Sequence, residues 1–89
     1  MAQIVATFRI LPKDADVDLN LMKEEVVETL PIDASVYRFD EEPIAFGLVA
    51  LIAHVVVPED LAGGTEAIER AIRLLKTAGE VDVTMVRRV

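Results

Sequence analysis

Cysteine is absent from the chain, which excludes a disulfide framework, thiol redox chemistry and cysteine-ligated zinc. Positive charge is scarce. Nine Lys and Arg stand against sixteen Asp and Glu, a net charge of −7, so binding a phosphate backbone is not the main task. Long apolar runs are missing as well, and none approaches the ~20 residues of a membrane span. The opening Met-Ala-Gln-Ile-Val lacks the basic segment and apolar stretch of a secretion signal. These absences predict a soluble, cytoplasmic protein without cofactor, membrane or direct nucleic-acid contact. What is present is an apolar fraction of 53% in 89 residues, enough for one core and too short for two. A single domain over residues 1–89 is expected. A chain of this size buries only roughly 60–65% of the surface its unfolded form exposes.

Pro12, Pro31, Pro43 and Pro58 punctuate the chain, with Gly63, Gly64 and Gly79 as further stops. Between them the apolar period switches. Ile4, Ala6, Phe8 and Ile10 alternate with Gln3, Val5, Thr7 and Arg9, the pattern of a strand with one buried face. Leu19, Met22, Val26 and Leu30 step by three and four, the stripe of a helix with Asp18 as N-cap and Pro31 as terminator. Ser35 to Phe39 reads as a short strand, and the β-branched run Leu48 to Val57 as a central one. Thr65 is expected to cap a second helix, with Ile68, Ala71, Ile72 and Leu75 inward and Gly79 as its stop. Val81, Val83 and Met85 alternate again as a final strand.

The order β-α-β-β-α-β predicts an α+β, ferredoxin-like sandwich. Its four-stranded antiparallel sheet carries both helices on one face, with strands one and three central. Parity assigns Val49, Leu51, Ala53, Val55 and Val57 to the helix-covered face. It sends Val5, Thr7, Arg9, Ala50, Ile52, His54, Val86 and Arg88 to the open face. That open face, aliphatic with a basic edge, reads equally well as a protein-binding patch or as ordinary residual apolar surface.

Reactive constellations are weak. His54 is the one histidine and lacks a co-ligand, so a half-exposed strand position describes it better than a metal site. Asp14, Asp16 and Asp18 with Glu25 echo a calcium loop, but Leu19 stands where the obligatory Gly belongs; a solvated helix N-terminus fits better. Gly63-Gly64-Thr65 lacks the Lys and spacing of a phosphate loop. No Ser-His-Asp or Cys-His set can be assembled without a second base. Glu66–Arg70 and Glu69–Arg73 mark a wet helix face. Within the fold class, a heavy-metal carrier lacks its Cys pair. An RNA-recognition domain lacks aromatics on its central strands, where only Phe8 occurs, at a buried parity. An acyl-phosphate hydrolase has Arg9 but lacks the Gly-rich cradle. A small-ligand regulatory domain needs no strict motif and stays open.

Two segments stand out. Pro43-Ile44-Ala45-Phe46-Gly47 joins strands two and three, where polar turn residues are usual. Phe46 either folds back into the core or is presented to a partner. Val86-Arg87-Arg88-Val89 ends an acidic chain on adjacent cations, either as an edge that blocks strand addition or as a contact.

Taken together, these segments resemble the elongation factor 1-beta family in its archaeal single-domain form, and the exchange domain of its eukaryotic form. The resemblance spans the chain. It runs through Asp14 to Asp18 and Leu21 to Val26, then Pro43 to Leu48, then Val55-Val56-Val57-Pro58-Glu59-Asp60 before Gly64-Thr65. It closes on Asp82-Val83 and on Arg88 before Val89. It implies the same fold and an activity without enzyme chemistry, guanine-nucleotide exchange on elongation factor 1-alpha in its GDP-bound and nucleotide-free forms. It also implies partner-binding roles for Phe46 and Gly47 in the hairpin, and for Arg87, Arg88 and Val89 at the tail. Arg88 matches a penultimate cation, usually Lys, that enters the partner's magnesium and phosphate region. Phe46 matches an aromatic that wedges against the GTPase. Three departures stand. Arg replaces Lys at the penultimate position, Val49 and Ala50 replace paired lysines, and Tyr37 corresponds roughly to a Trp.

Overall fold

The computed structural model describes residues 2–88. The elements are β1 (Gln3–Pro12), α1 (Leu19–Thr29), β2 (Ser35–Pro43), β3 (Val49–Pro58), α2 (Gly64–Arg73) and β4 (Ala78–Arg88). The strands form one antiparallel sheet in the order β2-β3-β1-β4. This is the ferredoxin-like arrangement expected from the apolar periodicity, with β1 and β3 central. One face of the sheet meets the helices. Ala6, Phe8 and Ile10 of β1 and Leu51, Ala53 and Val55 of β3 pack there against Met22 and Val26 of α1 and Ile68 and Ile72 of α2, closed off from solvent.

Local chemistry explains the element ends. The Asp18 carboxylate accepts the Asn20 N–H at 2.9 Å, which caps α1 as expected. Leu30 closes it before Pro31. At α2 the expected Thr65 cap is wrong. Gly63 is the N-cap, left-handed at φ 78°, and Gly64 follows at φ 59°. Two successive left-handed residues turn the chain into the helix early and put Thr65 inside its first turn. A Cβ on Gly63 would also stand 2.9 Å from that of Ala67. Gly79 does not stop α2 either, since the helix ends at Arg73 and Gly79 lies in β4. Its Cβ would come 3.1 Å from the Pro12 carbonyl oxygen, so glycine there lets β4 approach β1. β2 runs beyond Phe39 to Pro43, because an edge strand tolerates the charges of Asp40, Glu41 and Glu42 on its solvent-facing sides.

Register shifts in β4 and β2 redistribute the faces. In β4, Phe8 pairs with Val83 and Thr7 with Met85, so Thr84 is an extra residue. One extra residue reverses the alternation beyond it. Val81 and Val83 point inward as expected, but Met85 joins the open face with Arg87, while Val86 and Arg88 turn to the helix side. In β2, Tyr37 is the extra residue between the pairs Val36–Val55 and Arg38–His54. Val5, Thr7, Arg9, Ala50, Ile52 and His54 do lie on the open face. Ala50, Val5 and Thr7 are nonetheless buried there.

Candidate interaction sites at the two ends of the sheet

The β2–β3 connection is a tight turn. The Ile44 N–H donates to the Leu48 carbonyl at 2.9 Å, and the Leu48 N–H to the Ala45 carbonyl at 2.9 Å. Its central residues are Phe46 at φ 55° and Gly47 at φ 79°. Positive φ at both is the signature of the hairpin turn that matches strand twist. Gly47 adopts it freely. Phe46 does not, and a left-handed non-glycine costs about 1–2 kcal/mol. The ring gains nothing inside the molecule in return, being 98% exposed, with half-exposed Ile44 near it. Of the two readings of Phe46, folding back into the core is therefore excluded.

The other end carries the tail. Arg88 pairs with Ile4 and Arg87 with Val5. The Arg88 Nη2 donates to Glu59 Oε1, and its side chain stays 74% exposed. Glu59 is anchored in turn, its N–H donating to the Ala2 carbonyl at 3.1 Å. Val89 lies outside the described residues. Ile32 sits at this end too, since the turn closed by the Ala34 N–H on the Pro31 carbonyl leads into Ser35, which pairs with Val56. Ile32 is 99% exposed. Pro31 beside it lines an apolar groove of about 350 Å³ between the helices, with Leu61, Ala62, Ile68 and Ala71. Periodicity did not single out this surface. Its one signal was an isoleucine between Pro31 and Asp33, where turns favour polar residues.

The two ends are far apart. The hairpin springs from Val49, and the tail runs beside Ile4, which pairs with Val57. Eight strand steps of about 3.3 Å put roughly 26 Å between those levels. Phe46 and Gly47 therefore share one end, Arg87 and Arg88 the other, and the sheet brings neither pair to the other.

The remaining candidates serve the fold. His54 Nε2 donates to Asp40 Oδ2 at 2.9 Å, and in the neutral ring Nδ1 accepts the Thr7 hydroxyl at 3.0 Å. This ties β2, β3 and β1 together, with the Tyr37 ring edge-on to the imidazole. The His54 hydrogen bond, helped by the nearby Arg38 guanidinium, holds the Asp40 carboxyl below its ordinary value. Arg9 is paired with Glu42 at 3.1 Å. On the open face Arg9 and Arg38 are thus matched by acids, while Arg87 takes at its edge the place expected for Arg88. Asp14 accepts the Asp16 N–H, Asp18 caps α1, and Glu25 accepts the Thr77 hydroxyl at 2.6 Å. Both four-apart pairs of α2 form, Glu66–Arg70 at 4.0 Å and Glu69–Arg73 at 2.6 Å. Among the described residues, no helix is long and apolar enough to cross a membrane.

The fold is that of a ferredoxin-like sandwich, which displays a bare ring at one end and an ion-paired arginine at the other. Its family is plain from similarity. Residues 5–89 match the EF-1 guanine nucleotide exchange domain, and the chain belongs to that family. It is 45% identical to Elongation factor 1-beta of Methanothermobacter thermautotrophicus, covering all of this chain and 99% of that protein. It is 37% identical to Elongation factor 1-beta of Halobacterium salinarum, each covered in full. Among solved structures, the C-terminal domain of the MgtC protein from Mycobacterium tuberculosis superposes with a TM-score of 0.65, over 99% of this chain and 88% of that one. At 13% identity that likeness concerns the fold alone. The chain is thus a guanine-nucleotide exchange factor of translation elongation, and its family implies elongation factor 1-alpha as partner.

Proposed function

We propose that the protein accelerates GDP release by holding elongation factor 1-alpha at two separated points, with Arg88 at the nucleotide and Phe46 on a second surface of the same GTPase. An exchange factor needs no reactive centre. It binds the nucleotide-free GTPase more tightly than the GDP-bound form, and by linkage it weakens GDP by the same factor. In nucleotide-binding GTPases, magnesium ties the phosphates to the protein. A guanidinium in place of that ion supplies charge without bridging ligands, so the tie is lost. Arg88 suits this role by its exposure at a strand end. Its planar fork demands a wider opening than an ammonium, which makes Arg88→Lys an informative variant.

The observation that carries this reading is the full exposure of Phe46 on a left-handed backbone, roughly 26 Å by strand rise from the tail. One nucleotide pocket cannot receive both groups. Phe46 therefore supplies affinity and orientation, while the tail, with Arg87 and Val89 flanking Arg88, supplies the exchange step. An acidic factor meeting a partner built to hold tRNA also gains in encounter rate. The experiment is the release of labelled GDP from elongation factor 1-alpha at substoichiometric factor, with the full chain and with a chain lacking Arg88 and Val89. Acceleration by the first and none by the second is expected. Equal acceleration by both overturns the tail's role.

A further inference from the structure

We infer that Glu59 is the second polar group of the exchanging end, an anion that satisfies the cationic phosphate site of the GTPase once GDP has left. The inference rests on the reading of Arg88 above and extends it to a residue outside the tail. The Glu59 carboxylate accepts from the Arg88 guanidinium and is 41% exposed. Its backbone is fixed on both sides. The Glu59 N–H donates to the Ala2 carbonyl at 3.1 Å, and the Leu61 N–H closes a turn on the Pro58 carbonyl at 3.2 Å. Wherever the Arg88 side chain is delivered, this carboxylate arrives within one side chain's reach.

The chemistry of a vacated phosphate site gives it work to do. Such sites hold phosphates with a lysine, backbone N–H groups and magnesium. When GDP departs, the lysine and the N–H groups lose their anion, and an unpaired cation in a closed site is costly. A factor that inserted Arg88 alone would make that site more positive and draw the nucleotide back. Arg88 and Glu59 together bring no net charge. Glu59 meets the bereft lysine while Arg88 occupies the region of the metal. The GDP-bound form has no unpaired cation for Glu59, so the contact strengthens only the nucleotide-free complex. That difference between the two forms is what linkage converts into release.

Glu59→Gln tests this, because it keeps the side-chain shape at an exposed position and removes only the charge. Affinities for nucleotide-free and for GDP-bound elongation factor 1-alpha are measured with the full chain, together with kcat and KM for GDP release and the melting temperature. Expected are a loss of about tenfold or more in affinity for the nucleotide-free form, since deleting one partner of a close charge pair carries a penalty of that size. A matching fall in kcat, a change of under about twofold toward the GDP-bound form, and an unchanged melting temperature complete the pattern. Glu59→Asp is expected to recover part of the loss. Equal weakening toward both forms makes Glu59 an ordinary docking contact, faster release makes it a restraint on Arg88, and no change makes the ion pair incidental; each overturns the inference. Arg88→Ala is run in parallel. If it releases GDP normally, the tail reading itself fails. If it is slow while Glu59→Gln is normal, only this inference fails.

Discussion

The hairpin end and the tail end hold their exposed groups in opposite ways. Phe46 is displayed by backbone geometry: two left-handed residues and two backbone hydrogen bonds set the direction of its Cα–Cβ bond, and the ring touches almost nothing. Arg88 is displayed by a side-chain contact, an exposed ion pair of a kind generally worth no more than about 1 kcal/mol. The first end is stiff and strained, and the second is soft and easily released. A rigid apolar anchor suits affinity, because little freedom is lost on binding. A cation that lets go of its own partner cheaply suits a group that must enter a site the partner protein keeps filled until exchange begins.

The largest effect expected is from removing the tail cation. Arg88→Ala should slow GDP release at saturating factor by about 100-fold, the scale of a central charged contact, with kcat falling rather than KM rising. Folding should be untouched, since the side chain is 74% exposed. The hairpin should answer with the opposite kinetic signature. Phe46→Ala should raise KM by about 10- to 100-fold, the usual scale of a buried aromatic anchor, and leave kcat near normal. Phe46→Asn adds a second readout. Asn tolerates positive φ, so urea midpoints should show a gain of about 0.5–1 kcal/mol in stability while binding is lost. A variant more stable and less active would identify the turn strain as a cost borne for function. If Phe46 variants lower kcat and spare KM, the two ends are not distinct in role.

How far this comparison could be read without coordinates depends on where the chain alternates cleanly. The six elements were legible because Pro and Gly separate stretches of period two from stretches of period three to four. The cap at Asp18 was legible because an acidic side chain before an apolar stripe has few other uses. The face of the tail was not. In Val83-Thr84-Met85-Val86 both parities carry apolar residues, so nothing along the chain marks Thr84 as the bulge that sends Met85 outward and Arg88 to the helix side. The hairpin was half legible. Pro43 and the flanking strands announced a connection, but Phe-Gly does not declare a left-handed Phe as Asn-Gly would, and exposure of the ring follows from that backbone alone. Ile32 was missed because a lone apolar residue in a turn has no period.

Ile32 gives a smaller test of whether the tail end is a surface or only a point. It is 99% exposed, next to the interhelical groove. Ile32→Glu should leave the urea midpoint within about 0.5 kcal/mol, as surface changes do. If the GTPase covers this end, the variant should raise KM by about three- to tenfold, a contact of about 1 kcal/mol at an interface margin. An unchanged KM would confine the contact to Arg88 and its immediate neighbours.

The smallest effect concerns the sheet that spaces the ends. Asp40 on edge strand β2 receives the His54 Nε2–H, and that bond, with the Arg38 charge, keeps its carboxyl below the ordinary 3.8 in the folded protein. A carboxyl whose value is lower folded than unfolded adds stability above the unfolded value. It loses that stability as pH falls through the lower, folded value. Asp40→Asn removes the contribution. The difference in urea midpoint between the parent and Asp40→Asn should therefore be present at about pH 5 and close as pH drops below 3.8. It should be small, because the Asp40 side chain is 47% exposed and solvent screens the interaction. GDP release at neutral pH should not change, since the Thr7–His54–Asp40 chain lies on the open face, between the two ends and part of neither. A kinetic defect in Asp40→Asn at unchanged stability would mean that the open face itself takes part in gripping the GTPase, and the division of labour between hairpin and tail would have to include it.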